Sequence, residues 1–426
     1  MIRKRIGQIV LVLLAWALLA VTGVLHAQDD ALPLPLDDVR LFTEALDRIR
    51  MSYVEEIDDR TLLENAIRGM LANLDPHSAF VDGRDFDNLQ ETTTGEFGGL
   101  GIEVGQENGY ILVIAPIDDT PADRAGLRSG DLIVAIDNQP VRDMLPEDAA
   151  SLMRGEPGTE VTLTISRDGL EPFDVEITRE VIAVSSVRSR LLEPGYAYAR
   201  IPIFQLNTGK DFQAEVAGLL EEDPELKGLV LDLRNNPGGV LQASVDVVDA
   251  FIDSGRVVYT QGRLREAATE YFANAETVAP DLPVVVLING GSASAAEIVA
   301  GALQDHSRAV VMGTRSFGKG SVQSVLPLDG DRAIKLTTSL YYTPDGRSIQ
   351  AQGIEPDIVV EEAFVTRRSR NVAQFAEADL PGSLENENGA DGNIAPLVSA
   401  AEVLTADYPL NEALNLLKGL NTLRSR

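Results

Sequence analysis

Cysteine is absent from this 426-residue chain. That excludes disulfides, a thiolate nucleophile, zinc–cysteine sites and a lipid-bearing N-terminal cysteine. Histidine is scarce, with three in all. His26 lies in a stretch with the pattern of a targeting segment, so only His77 and His306 could serve as the usual base beside a nucleophilic serine. His306 falls just past a helix expected over 295–304, and His77 ends a turn. No spacing of His, Asp and Glu reads as a metal site, and no cofactor is expected. Basic charge is short as well: 36 Lys and Arg face 66 Asp and Glu, a formal net charge of −30. Nucleic acid and anionic lipid both call for basic patches, so neither is expected as a primary partner.

What is present is a folding composition. Hydrophobic residues make up 44% and charged residues 24%, enough for two or three domains with cores of their own. The N-terminus opens on Met1-Ile-Arg-Lys-Arg5, followed by an apolar run from Ile9 to Leu25 and then Leu25-His-Ala27. This reads as a secretory signal (1–27) cleaved after Ala27, or as a retained membrane anchor because Leu25 is poor at the small-residue position. Either way the bulk of the chain is expected outside the cytoplasmic membrane, periplasmic or anchored there.

Residues 28–94 read as a helical segment, with helical spacing at Val39, Phe42, Leu46 and Ile49 and again at Leu62, Ala66 and Met70. Asp75-Pro-His-Ser78 ends that unit, since Pro76 cannot continue a helix. From 95 to 180 the pattern turns to short strands and turns, including Tyr110–Ile114, Leu132–Ile136 and Val161–Ile165, with a helix near Glu147–Met153. From 181 to 360 apolar strands (Gly228–Leu233, Val284–Ile288, Ala309–Met312) alternate with helices (Val240–Ile252, Ala295–Gln304), an α/β pattern. Residues 361–394 read as a polar linker, and 395–426 as a C-terminal helical segment.

Residues 95–180 resemble a PDZ domain, through Gly99-Leu-Gly-Ile102, Ala125-Gly-Leu-Arg-Ser-Gly-Asp131 and the helix near 147–153. Backbone N–H groups around Gly98, Gly99 and Gly101 can converge on a carboxylate. The strand that follows can pair with an extended peptide. Gly99, Leu100, Gly101 and Ile102 are thus the candidate binding residues for a peptide C-terminus, with Leu152 and Met153 adding to an apolar pocket for its last side chain.

Ser294 stands at a strand-to-helix turn, in Gly290-Gly-Ser-Ala-Ser-Ala-Ala-Glu-Ile298. By residue type alone it is as good a helix cap as a nucleophile, and Ser292 competes with it. Lys319 stands between Gly318 and Gly320, with Gln323 four residues on. A lysine base must be neutral, so its pKa has to fall from roughly 10.4 toward about 7–8 through burial and local dipoles. Gln323 can hold the amine without adding charge. The N–H of Ala295, and a second from Asn236-Pro-Gly-Gly239, can face a developing oxyanion. Gly313-Thr-Arg-Ser-Phe-Gly-Lys-Gly320 has the spacing of a phosphate loop, but Gly320 replaces the Ser or Thr that would hold Mg²⁺.

Together, Ser292-Ala-Ser-Ala-Ala-Glu-Ile298, Gly318-Lys-Gly-Ser-Val-Gln323, Leu233-Arg-Asn-Asn-Pro-Gly-Gly239 and Leu74-Asp-Pro-His-Ser78 resemble the C-terminal processing peptidases, or tail-specific proteases, over residues 37–360. The resemblance implies a ClpP/crotonase-like α/β protease core with an inserted PDZ domain of β-barrel type. It implies Ser294 as nucleophile, Lys319 as base, Gln323 as its helper, and oxyanion donors at Ala295 and Gly238. Ala296 departs from relatives that carry a second serine there and touches no catalytic role. The implied partners are protein or peptide substrates held by their C-termini. The terminal helical segments could support a homo-oligomer or an activating partner. The alternative is an exported PDZ adaptor that binds protein C-termini without cleaving them.

Overall fold

The computed structural model describes residues 35–117, 119–274, 277–328, 332–363 and 407–424. The expected signal or anchor and most of the expected linker lie outside the described residues. Two bodies are distinguished, meeting in sequence at Asn73 and Leu74.

The first body carries α1 (Leu36–Ser52) and α2 (Asp59–Ala72). Asp58 caps α2, its carboxylate accepting the Thr61 N–H at 2.9 Å. That satisfies one of the N–H groups a helix start leaves unpaired.

The second body begins with β1 (Ala79–Asp82), α3 (Gly83–Thr94) and β2 (Glu96–Gly99). A small antiparallel domain follows: β3 (Ile102–Glu107), β4 (Tyr110–Pro116), α4 (Pro121–Arg124), β5 (Leu132–Ile136), β6 (Gln139–Pro140), α5 (Pro146–Met153), β7 (Glu160–Ser166) and β8 (Phe173–Thr178). Its strands run in the order β3-β4-β5-β7-β8, with β6 on β5. Alternate residues of β4, β5 and β7 turn inward, so Ile111, Val113, Ile133, Leu163 and Ile165 are fully buried. The chain returns along β9 (Glu180–Ala183), which pairs with β2 from Glu96↔Ala183 to Gly99↔Glu180. This two-stranded ribbon carries both chain crossings between the small domain and the core.

The core holds β10 (Arg188–Glu193), β11 (Tyr196–Arg200), α6 (Thr208–Glu222), β12 (Gly228–Asp232), α7 (Leu241–Asp249), β13 (Arg256–Gly262), β14 (Glu270–Phe272), β15 (Val284–Ile288), α8 (Ala295–Asp305), β16 (Ala309–Gly313), β17 (Ser321–Pro327), β18 (Arg332–Tyr342), β19 (Ile358–Val359) and α9 (Tyr408–Arg424). One six-stranded sheet has the order β10-β11-β12-β15-β16-β19, parallel except for the first pair. β12, apolar up to its terminal Asp232, and β15 are buried on both faces, as a parallel sheet covered on both sides requires. Leu229, Leu231, Val284, Val286 and Ile288 join α6, α7 and α8 in one cluster. Val230, Val285 and Leu287 face Leu410, Ala413, Leu414 and Leu417 of α9 on the other side. A second sheet has the order β1-β18-β13-β14 with β17 on β18.

The apolar stripe of the C-terminal helix covers the sheet within this chain. Residues 395–406 of that segment lie outside the described residues. Leu414 is 1% exposed, so Leu414→Ala should cost about 2–5 kcal/mol of unfolding free energy. Chemical denaturation measures it, and a loss near zero would mean that α9 does not stay docked.

Candidate active site

β12 and β15 end side by side, and the turns that leave them are tied together. The Asn289 side chain accepts from the Asn235 N–H at 2.9 Å and the Gly291 N–H at 3.0 Å, and donates to the Asn235 side-chain oxygen at 3.0 Å. The Ala293 N–H donates to the Asn236 carbonyl at 2.8 Å. Ser292, fully buried, donates to the Leu233 carbonyl at 2.8 Å and accepts from the Asn289 N–H at 2.9 Å. Both ends of its hydroxyl are thereby committed to bracing the turn.

Ser294, half-buried, takes φ 55° and ψ −115° at the start of α8. A non-glycine residue there stores of order 1–3 kcal/mol of backbone strain. The device that holds it is Glu297, fully buried. One carboxylate oxygen accepts from the N–H groups of Ser294 at 2.7 Å and Lys319 at 2.9 Å. The other accepts from the Ser316 hydroxyl at 2.6 Å and the Gly318 N–H at 2.7 Å. One side chain thus fastens the serine turn to the lysine turn. Burial raises the Glu297 pKa above 4.5, while the four hydrogen bonds pull the other way.

Lys319 lies in a turn whose glycines are required by crowding. A Cβ on Gly320 would sit 2.5 Å from the Gln350 nitrogen, and Gly318, at φ +91°, packs against Gln352 and Gly353. Glu297 takes the backbone N–H of Lys319, and the residue lines a cavity of about 340 Å³. Ser294, Gln323, Lys335 and Tyr341 line the same cavity, with Phe204, Val240, Leu241 and Ile298 as apolar wall. The Lys319 pKa is lowered from 10.5, first by burial and then by the Lys335 ammonium, against the pull of Asp75 and Glu297. Tyr341, 1% exposed, donates to the Lys319 carbonyl and also meets the Ser294 side chain.

Gln323 stands on β17 beside a bulge between Val322 and Gln323. Its amide nitrogen donates to Ser321 Oγ at 2.9 Å and Thr337 Oγ1 at 3.3 Å. Gly238 approaches Ser294 so closely that a Cβ would lie 2.6 Å from the serine Cβ and 3.1 Å from the Ala295 nitrogen. Its N–H, however, donates to the Asn236 side chain at 2.8 Å. The expectation of an oxyanion donor at Gly238 therefore meets a group that is already engaged, because Asn236 folds back on its own turn. Arg234 braces that turn from beneath, with Asp232 at 2.7 Å and Asp407 at 2.7 Å.

Gly99, Leu100, Gly101 and Ile102 do not join this cavity. They line a separate groove of about 80 Å³ with Phe97, Val104, Ala150, Met153 and Arg154. Gly101, at φ +77°, leaves no room for a Cβ beside Thr120, and Gly98 none beside the Gly155 carbonyl. Leu152, expected to line the groove, is not among its walls. Arg154, which the sequence reading passed over, is: its guanidinium lies 4.7 Å from the centre of the Phe97 ring and pairs with Glu91 at 3.2 Å. His306 caps α8 and hydrogen-bonds the Arg256 carbonyl at 2.8 Å. His77 lies closer to the chemistry than its sequence position suggested, its pKa lowered first by burial and then by Lys319.

Three family models match the chain. Peptidase family S41 covers residues 195–360, the PDZ domain residues 112–167, and the N-terminal domain of the activating protease CtpB residues 21–84. A carboxy-terminal-processing protease of Bartonella bacilliformis is 45% identical over 89% of this chain and 88% of its own. The chain belongs to the carboxy-terminal processing proteases. A carboxyl-terminal-processing protease of Synechocystis sp. is 37% identical over 80% of both chains. One from Bacillus subtilis is 34% identical over 75% of this chain and 68% of its own.

The residues most easily missed in this protease are Glu297 and Tyr341. The spacing Ser294-x-x-Glu297 is a capping-box signature and was the available signal for Glu297. Nothing local marks Tyr341. An amide at 297 could accept hydrogen bonds at one end only. Glu297→Gln would therefore leave two buried donors facing an NH₂, at about 1–3 kcal/mol each. It should lower unfolding free energy and, by loosening both turns, cut activity roughly 100-fold. Wild-type turnover in this variant would mean that the turns are held by other contacts.

Proposed function

We propose that this serine protease binds protein C-terminal tails in the groove at 99–102 and cleaves near the tail with Ser294, Lys319 and Gln323. The observation that carries the reading is the shared cavity, with Lys319 in surroundings that favour its neutral form. Ser294 Oγ attacks the substrate carbonyl while Lys319 takes the serine proton. The tetrahedral intermediate collapses as Lys319 returns that proton to the leaving amine. Water, deprotonated by the same lysine, then releases the acyl group. Gln323 orients the amine without adding a charge that would raise its pKa. The oxyanion is received by the Ala295 N–H, joined by that of Gly238 once it leaves Asn236. The basic and apolar start of the sequence supports placing the catalytic part outside the cytoplasmic membrane, in the periplasm or on an anchor.

Degradation of an unfolded protein by wild type beside Ser294→Ala separates protease from adaptor. Ser294→Ala should abolish turnover and keep tail binding; residual turnover in pure protein would overturn Ser294 as nucleophile. Lys319→Ala should be inactive and Lys319→Arg should not rescue it, since a guanidinium cannot give up its proton.

The pH profile of kcat/KM should have an ascending limb below 10.5. The sign follows from the base: lowering its pKa brings the neutral amine in at lower pH. A limb at or above 10.5 would contradict a buried base. Amidating a peptide C-terminus should weaken its binding roughly tenfold or more, through loss of charge-assisted hydrogen bonds. Equal affinity would remove the carboxylate from the recognition.

A further inference from the structure

The Leu74–Ser78 motif reaches the active site by a directional hydrogen-bond chain. Asp75 first shapes its own turn: one oxygen accepts from the N–H groups of His77 at 2.8 Å and Ser78 at 2.9 Å, and the other accepts from the Ser78 hydroxyl at 2.6 Å. The turn then docks on β18. The Ser78 hydroxyl accepts from the Thr337 N–H at 3.1 Å, and β1 continues in register with Ala79 opposite Lys335. Across the other edge of β18, Thr337 stands opposite Gln323 of β17.

A threonine hydroxyl has one proton to give. Here Thr337 gives it to Asp75 Oδ1, at 3.1 Å. Burial pushes the Asp75 pKa up, but the bonds from Ser78, His77 and Thr337 outweigh it and hold the carboxyl below its usual range, so it acts as acceptor only. With its proton committed, the Thr337 oxygen can only accept from Gln323. A glutamine amide can ordinarily turn either end toward a hydroxyl. In this setting only its NH₂ fits, and the NH₂ does donate to Thr337 Oγ1 at 3.3 Å and to Ser321 Oγ at 2.9 Å. The carbonyl end is left for the cavity that holds Lys319.

We propose that Asp75, acting through the Thr337 hydroxyl, is a positioning residue that fixes which end of the Gln323 amide faces Lys319. The proposal rests on the reading of Gln323 as the residue that orients the base. The charged groups that act on Lys319 besides Asp75 are Lys335 on β18 and Glu297 on α8.

The test compares Thr337→Val, Thr337→Ser and Asp75→Asn in the full chain, each also with Gln323→Ala. Thr337→Val keeps shape and removes the relay, so kcat should fall about tenfold or more with KM within about twofold. Thr337→Ser restores the hydroxyl and should recover kcat to within about threefold. In the Gln323→Ala background, Thr337→Val should add no more than about a twofold further loss, since both act on one contact. Undiminished kcat in Thr337→Val, no recovery in Thr337→Ser, or full additivity with Gln323→Ala would overturn the proposal. Should Thr337→Val fail to fold, Thr337→Ala in the two backgrounds, which leaves the Asp75 charge beside Lys319 in place, is read in the same way. If Gln323→Ala alone turns over like wild type, the reading of Gln323 falls. The proposal is then decided by the Gln323 side-chain NH₂ resonances, which Thr337→Val and Asp75→Asn should both shift and which would stay in place if no relay existed.

Discussion

A single buried carboxylate holds the chemistry of this protein together. Glu297 accepts from Ser294, Ser316, Gly318 and Lys319, and so fixes two turns that are 25 residues apart in sequence. Burial raises its pKa. A group whose folded pKa is raised favours the fold below its unfolded pKa, and that contribution is lost as pH rises through the folded value. Ionised Glu297 is therefore a cost to stability, which its four donors reduce but do not cancel. What the cost secures is geometry: a strained serine and a lysine lining one cavity.

The surroundings repeat that logic. The serine turn rests on Ser292 and Asn289, the neighbouring turn on Arg234 between Asp232 and Asp407, and the lysine turn on the crowding of Gly318 and Gly320 against 350–353. Asp407 also accepts the Leu410 N–H at 3.1 Å as the first turn of α9 begins. The C-terminal helix is thus joined to the active-site floor by the same carboxylate that caps it. The groove domain meets the core through the β2–β9 ribbon and the Arg154–Glu91 pair, which lies beside the groove itself.

Features written in local pattern were legible in the sequence. β5 and β15 were read with the bounds they have, because each is a short, continuous apolar run between turn residues. Ser294 and Lys319 became candidates through their combined motifs and the family resemblance, since by residue type alone Ser294 is as good a helix cap. The second sheet was harder: β17 (Ser321–Pro327) is half-exposed and mixes polar with apolar residues without strict alternation, and becomes a strand through its long pairing with β18. Tyr341, Thr337 and Asp75 reach the site by tertiary contact alone. The Ser292 hydroxyl is committed at both ends, a physical ground for proposing Ser294 in its place. Gly238 was placed beside Ser294 as expected, but its bond to Asn236 depends on a side-chain orientation that no motif encodes.

The claim on which the rest depends is that Glu297 delivers Lys319 into surroundings that lower the pKa of its amine. Titration of ε-¹³C-labelled lysine by NMR, with the Lys319 resonance assigned through its loss in Lys319→Met, measures this directly. Lys319 should titrate with a midpoint below 10.5, apart from the solvated lysines. A midpoint at or above 10.5 would contradict the claim.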